Sequence, residues 1–357
     1  MKEKSMSWED NVRKVVPYTP GEQPKIKNII KLNTNECPYP PAPAVKECLA
    51  AIDYDDFRLY PDPSASKLVK ALSDYYKVPE DQVFVGVGSD DVLAMAFLTF
   101  FNSKKPVLFP DITYSFYDVW AELFGIPYRQ VPLDDNFEIV KEDYYEDNGG
   151  VIFPNPNAPT GILQSLDMIE DVIRHNQDVV VIIDEAYIDF GGESCLELIN
   201  KYDNLLVVQT TSKSRAMAGM RIGYAFGSKK LIRYLQDAKY SFNSYTMNRP
   251  SIELGAASLT DDEYFKGVCK KIITTRERVK KQLRDLGFEF WDSCSNFVFA
   301  RHKTVPGKEI FAYLRENGII VRRWDAPRIS EYLRISIGTD EQMDRMIEVL
   351  SGMLGIR

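Results

Sequence analysis

Val179-Val-Val-Ile-Ile-Asp-Glu-Ala-Tyr187 sets five branched apolar residues in a row before two carboxylates and a tyrosine. A strand that is apolar on both sides of its pleat must be covered on both faces. That is the mark of a parallel sheet held between helical layers. The segments on either side repeat the theme. Gln82–Val87, Pro106–Phe109, Tyr128–Val131, Gly150–Phe153, Leu205–Gln209 and Ile222–Phe226 read as short strands. Helical patterns fall between them, over Asp90–Phe101, Tyr114–Phe124, Leu166–His175 and Lys229–Gln236. Such alternation predicts an α/β fold with a mostly parallel sheet. Its chemistry is then expected beyond the carboxyl ends of the strands.

The 357-residue chain is long enough for roughly two domains, at about 100–200 residues each. Residues 1–30, with Pro17, Pro20 and Pro24, read as an extended arm with one short helix. Residues 31–250 read as a large α/β domain. Residues 251–357 read as a smaller α+β domain, on which the arm is expected to pack. The smaller part opens with a long charged helix, Asp261–Leu286. Strands Ser295–Ala300, Ile319–Arg323 and Tyr332–Ile337 and helices Gly307–Asn317 and Glu341–Leu354 follow. A net charge of −8 argues against a nucleic-acid surface. Five cysteines without CxxC spacing fit a reducing, cytoplasmic setting and give no metal pattern. The charged Met1–Asp10 is not expected to be a signal peptide. No apolar run nears the ~18 residues of a membrane span. The two histidines, His175 and His302, read as surface residues, so histidine-rich metal sites are not expected.

Four strand-end motifs carry chemistry. Lys213 lies in Thr210-Thr-Ser-Lys-Ser-Arg-Ala-Met-Ala-Gly-Met-Arg-Ile-Gly223, where it fits an amine nucleophile or an ordinary solvated lysine. Gly86-Val-Gly-Ser-Asp-Asp91 opens a helix, whose free N–H groups suit an anion or simply a capped turn. Asn155-Pro-Asn-Ala-Pro-Thr-Gly161 is a rigid amide-bearing loop. Asp184 ends the buried strand, and a buried carboxylate needs a partner, whether an arginine or a cationic ring nitrogen. Arg334 interrupts the apolar run Tyr332–Ile337, as carboxylate receptors often do.

Together, in order and spacing, these motifs resemble the fold-type I pyridoxal-phosphate aminotransferases, above all the histidinol-phosphate aminotransferase branch. Leu32-Asn-Thr-Asn-Glu-Cys-Pro-Tyr39, Tyr60-Pro-Asp62 and Thr211–Arg221 also carry the likeness, which runs from about Tyr18 to the last helix. The resemblance implies that Lys213 holds pyridoxal 5′-phosphate and shuttles the substrate proton. It implies that Asp184 pairs with the ring nitrogen, Tyr187 and Asn157 with the ring hydroxyl, and that Tyr114 stacks on the ring. Ser89, Asp90, Ser212 and Arg221 would hold the cofactor phosphate, with Tyr60 reaching it from a partner subunit in a homodimer. Arg334 would bind the carboxylate of glutamate and 2-oxoglutarate. Arg322 would bind the substrate phosphate, helped by residues around Asn35 and Tyr39.

The implied reaction is reversible amino transfer between L-histidinol phosphate and 2-oxoglutarate. A threonine-phosphate decarboxylase and a broad aromatic aminotransferase share these motifs. A regulator that only senses the cofactor would need a DNA-binding segment, and residues 1–30 show no helix-turn-helix pattern. Cys37, Ala158, Ser214 and Met217 depart from the family's commoner residues.

Overall fold

A computed structural model describes residues 7–25 and 28–356. A two-residue strand, β1 (Ile30–Lys31), precedes the main sheet. The main sheet holds β2 (Val83–Gly86), β3 (Val107–Pro110), β4 (Tyr128–Val131), β5 (Gly150–Pro154), β6 (Val181–Asp184), β7 (Leu205–Thr210) and β8 (Gly223–Gly227). Their order across the sheet is β2-β8-β7-β6-β5-β3-β4, and only β8 runs against the others.

The pleat decides which side chain meets which helical layer. Val181 and Ile183 join one apolar core, together with Leu68, Leu72 and Ile173. Ile182 joins the opposite core, with Phe97, Tyr117 and Leu235. Both faces are thus covered, which is why the strand carries no polar residue before Asp184. Val179 and Val180, expected in the strand, precede it. Val179 N–H closes a turn on Asn176 O at 3.2 Å after the helix Leu166–His175, so the chain is not yet extended there.

The remaining strands are β9 (Phe288–Phe290), β10 (Phe297–His302), β11 (Ile319–Ile320), β12 (Arg322–Arg323) and β13 (Leu333–Ser336). Four of them form an antiparallel sheet in the order β12-β13-β10-β9, backed by the helices Asp262–Asp285 and Asp340–Leu354. The single strand expected over Ile319–Arg323 is two. β11 pairs in parallel with β1, whereas β12 pairs with β13, so the chain changes partner at Val321. β9 had no sequence expectation. Neither had the helices Pro43–Ala51, Ser66–Tyr76 and Arg249–Ala257.

Of the arm expected over 1–30, residues 1–6, 26 and 27 lie outside the described residues. The described part touches both sheets' surroundings. Tyr18 stacks on Phe116 at 4.1 Å, and Glu22 pairs with Arg315. Two helices differ from expectation near the site. One starts at Tyr117 rather than Tyr114, leaving Tyr114 in the preceding loop, and the helix from Lys229 continues to Phe242. His302 is partly buried rather than at the surface. Its ring faces Leu286 O at 2.9 Å and accepts the Val305 N–H at 3.0 Å. No helix among the described residues is long and apolar enough to cross a membrane.

Candidate active site

The loops after β2, β3, β5, β6 and β7 open on one edge of the main sheet. Because β8 is antiparallel, its amino end lies on the same edge and brings Arg221 there. A cavity of about 340 Å³ sits between these loops, lined by Asp90, Tyr114, Asp184, Tyr187, Lys213 and Arg221. Ser89 and Ser212 line it as well.

Asp184 is buried, 4% exposed. The Tyr117 hydroxyl donates to its Oδ2 at 3.0 Å and the Ala186 N–H to its Oδ1 at 3.2 Å. Burial pushes its pKa up to about 6, although both of these hydrogen bonds pull the other way. A cation set against it inside the cavity would relieve that cost. Tyr117 had no place among the sequence expectations. Its ring is fully buried beside Phe97 and Trp120, and its spacing marks it only as a core aromatic.

Next to it is a narrow backbone cradle. Gly88 has a φ of +88°, and a Cβ there would stand 2.5 Å from Arg221 Nη2. A Cβ on Gly223 would stand 2.2 Å from the Ser89 nitrogen. Only glycines let the two chains approach this closely. The helix Ser89–Phe100 starts at the cradle and offers first-turn N–H groups and the positive end of its dipole. Arg221 Nη2 donates to Asp90 Oδ2 at 3.0 Å, and the Tyr114 hydroxyl to Asp90 Oδ1 at 2.7 Å. Asp90 therefore faces the cradle through its N–H while its carboxylate is taken up by neighbours. Ser212 Oγ accepts from Thr210 Oγ1 at 2.9 Å.

Lys213 Nζ donates to Thr34 O at 3.3 Å and lies 5.7 Å from the centre of the Tyr187 ring. The Tyr187 hydroxyl accepts from Asn35 Nδ2 at 2.9 Å. Asn35 takes a left-handed φ of 57° and is held by Ser336 Oγ, so the segment after β1 hands an amide to Tyr187. Asn157 is buried, and its amide is turned to its own loop surroundings. Nδ2 donates to Ile112 O at 3.0 Å and Thr160 Oγ1 at 3.1 Å, and Oδ1 accepts from Thr113 Oγ1 at 3.0 Å.

A smaller cavity of about 140 Å³ adjoins the first and shares Tyr114, Tyr187 and Lys213 with it. The register of β12 and β13 sets Arg322 directly opposite Arg334. Like charges placed opposite repel, so an anion between them would relieve that cost. Arg334 Nη2 donates to Asn33 O at 3.0 Å, and its Nε is buried without a partner among the described residues. Burial pulls the Arg334 guanidinium below its usual range. Arg322 donates to Thr19 O at 3.2 Å and Pro20 O at 3.4 Å. The Trp324 ring lies against both guanidiniums, 5.4 Å from that of Arg322 and 5.1 Å from that of Arg334. Tyr18 closes another wall. Neither Trp324 nor Tyr18 carried a sequence signal beyond its aromatic type.

Two expected residues stand apart. Tyr39 lines neither cavity and lies under Lys271. Tyr60 is 79% exposed, with its ring 4.7 Å from that of Tyr245.

Residues 27–350 match the family described as Aminotransferase class I and II. The chain is 52% identical to the histidinol-phosphate aminotransferase of Lactococcus lactis subsp. cremoris over 349 residues, covering 98% of each chain. It is 51% identical to the histidinol-phosphate aminotransferase of Acinetobacter baylyi over 351 residues, covering 98% of this chain and 97% of the other. Its fold is similar to that of the histidinol-phosphate aminotransferase from Sinorhizobium meliloti in complex with pyridoxal-5′-phosphate. The TM-score is 0.82 at 24% identity, covering 91% of each chain.

Proposed function

The chain belongs to the aminotransferase class I and II family, and from that premise we propose how its two cavities divide the transfer of an amino group between L-histidinol phosphate and 2-oxoglutarate. The products are imidazole-acetol phosphate and glutamate, a step of histidine biosynthesis. The observation that carries the assignment is the opposed pair Arg322 and Arg334 beside the Lys213 cavity. An amine site flanked by two cations fits substrates that are anionic at the end away from the reacting carbon.

Pyridoxal 5′-phosphate, when bound, supplies a ring that takes up the electron pair left at the substrate α-carbon. The residues of the larger cavity fit it. Lys213 holds it through its amine and later moves the proton to and from the α-carbon. Asp184, costly to ionise alone, gains a cationic partner in the ring nitrogen. The Ser89 and Asp90 N–H groups, Ser212 and Arg221 hold the phosphate, with Asp90 keeping Arg221 aimed. Tyr114 would face the ring and Tyr187 would offer its hydroxyl to the ring oxygen, with Asn35 holding that hydroxyl in place. Asn157 would reach that oxygen only after giving up Ile112 or Thr160. Arg334 takes the carboxylate of glutamate. Arg322 takes the phosphate of the other substrate, exchanging the Thr19 and Pro20 carbonyls for it. Tyr39 has no contact that supports a substrate role.

The homodimer belongs to the same reading. Tyr54, Phe57, Tyr60 and Phe242 are exposed apolar side chains, and Tyr60 does not line its own chain's cavity. Both facts support a partner subunit covering this surface, with Tyr60 serving the partner's phosphate site. The five unpaired cysteines support a reducing cytoplasm.

The test is an amino-donor panel with 2-oxoglutarate, comprising histidinol phosphate, phenylalanine, tyrosine and threonine phosphate. Histidinol phosphate is expected to give glutamate fastest. Carbon dioxide released from threonine phosphate, with no glutamate from histidinol phosphate, would overturn the assignment. Arg322→Ala is expected to raise the KM for histidinol phosphate about 10–100-fold more than that for glutamate, since it removes a charge-assisted contact that only the phosphate makes. Equal weakening of the two would remove its phosphate role.

A further inference from the structure

The stretch that carries Lys213 belongs to no strand or helix and is shaped only by two short turns, at 211–212 and 214–215. The N–H groups of Ser214 and Arg215 donate to no protein group among the described residues. Bracing resumes on either side. Thr211 N–H donates to Ile222 O, and Met217 N–H to Thr211 O, both at 3.1 Å. Ala216 has a left-handed φ of 59°, so the tip is a tight reversal rather than a continued strand.

Side chains take over the anchoring. Ser214 is 3% exposed and donates its hydroxyl to Asp189 Oδ2 at 2.5 Å. Arg215 is 5% exposed and donates Nη1 to Ser258 O at 2.8 Å. Its guanidinium lies 3.9 Å over the Phe265 ring and 4.7 Å over that of Tyr75. Asp189 sits in the turn Ile188–Phe190, directly after Tyr187. The Ser214–Asp189 bond therefore joins the strand end that carries Asp184 and Tyr187 to the loop that carries Lys213. Asp189 also faces the positive charge of Arg215, which offsets part of the cost of its burial. None of the three residues lines either cavity.

We propose that Ser214, Arg215 and Asp189 are positioning residues that clamp the Lys213 tip from behind and set where its amine meets the cofactor ring. The clamp rests on the proposed use of Lys213 as the cofactor anchor. A loop tip held only by short turns has several accessible conformations, and misplacing a reacting group by about 1 Å costs on the order of 100-fold in rate. Serine's small hydroxyl reaches Asp189 here, and an alanine in its place would leave that carboxylate without this donor.

The experiment compares Ser214→Ala, Asp189→Ala and the double variant with wild type. Amide hydrogen exchange over residues 210–222 of the cofactor-free protein is expected to quicken about tenfold in each, because the same bond is lost. In the loaded enzyme, kcat is expected to fall roughly tenfold with the KM for 2-oxoglutarate within about twofold, and the pH midpoint of the lysine–cofactor absorption band to shift. The double variant should match either single one. Additive losses, or lower thermal stability with exchange and band midpoint unchanged, would overturn the clamp. A wild type with the band and variants identical to it removes the clamp alone. A wild type without the band removes the anchor role and the clamp with it. Should Asp189→Ala fold poorly, Ser214→Ala reads the same bond.

Discussion

Lys213 by itself is one of the chain's many cations, and its type says nothing of its use. Its surroundings do. It lines a cavity together with the buried Asp184, and it is parked on the Thr34 carbonyl rather than on a carboxylate. Lys213→Ala is expected to abolish both activity and the absorption band of the lysine-bound cofactor. A variant that kept the band would show that another amine holds it. Asp184 carries a pH prediction of its own. Its folded pKa of about 6 lies above the ordinary carboxylate value, so in the cofactor-free protein the fold favours its protonated form. Stability from this group is therefore full at low pH and is lost as pH rises towards and through 6. Above pH 7 the ionised form costs on the order of 2–3 kcal/mol. Cofactor-free Asp184→Asn is expected to unfold at higher urea than wild type at pH 8, with the difference gone near pH 4, while losing cofactor affinity. Equal midpoints at both pH values would count against the burial argument. At this scale the sequence made Asp184 legible, because a charge ending an apolar strand stands out. Tyr117, which bonds it, stayed hidden because a tyrosine among phenylalanines reads as core.

Among the elements, the strand ends do the assembling. The periodicity of β2 to β8 was legible because each strand is buried on both faces and so admits few polar residues. The loops were legible as motifs but not as shapes. Gly88 read as part of an anion-ready or capped turn and Gly223 as part of the strand Ile222–Phe226, yet both let the Gly88–Ser89 backbone lie against β8. Gly223→Ala would put a methyl into that backbone and should cost about 1–3 kcal/mol by overpacking. The greater expected loss is in phosphate affinity, seen as weaker binding of cofactor by the cofactor-free variant. A stable variant with unchanged affinity would show that the cradle tolerates a shift. Arg322 and Arg323 read as one strand with Ile319, and only the pairing with β13 reveals a boundary at Val321. That boundary turns Arg322 towards Arg334, a pairing set by register, which local sequence does not encode.

On the scale of the whole molecule, the arm touches both sheets' surroundings, and an aromatic surface at Tyr54–Tyr60 and Phe242 lies open in the single chain. If Tyr60 serves a partner's site, subunits lacking Lys213 and subunits lacking Tyr60 should complement each other. Mixing inactive Lys213→Ala with weakened Tyr60→Ala is expected to form one intact site in about half of the dimers by random exchange, with activity recovered above either parent. No recovery, in a mixture shown by native mass spectrometry to contain heterodimers, would confine each site to its own chain. The sequence by itself determined the layers, the strand ends on which chemistry could sit, and the identity of Lys213 and Asp184. Those follow from hydrophobic periodicity and from the cost of burying charge, which act within a few residues. Only the tertiary structure decided that Asn35 holds Tyr187, that Trp324 lies against two opposed arginines, that Asn157 turns its amide away from the cavity, and that Ser214 reaches Asp189. Each joins residues far apart along the chain, or depends on which way a side chain turns once the loops are packed. Hydrogen bonds and register choose among such partners only after the core has brought them together.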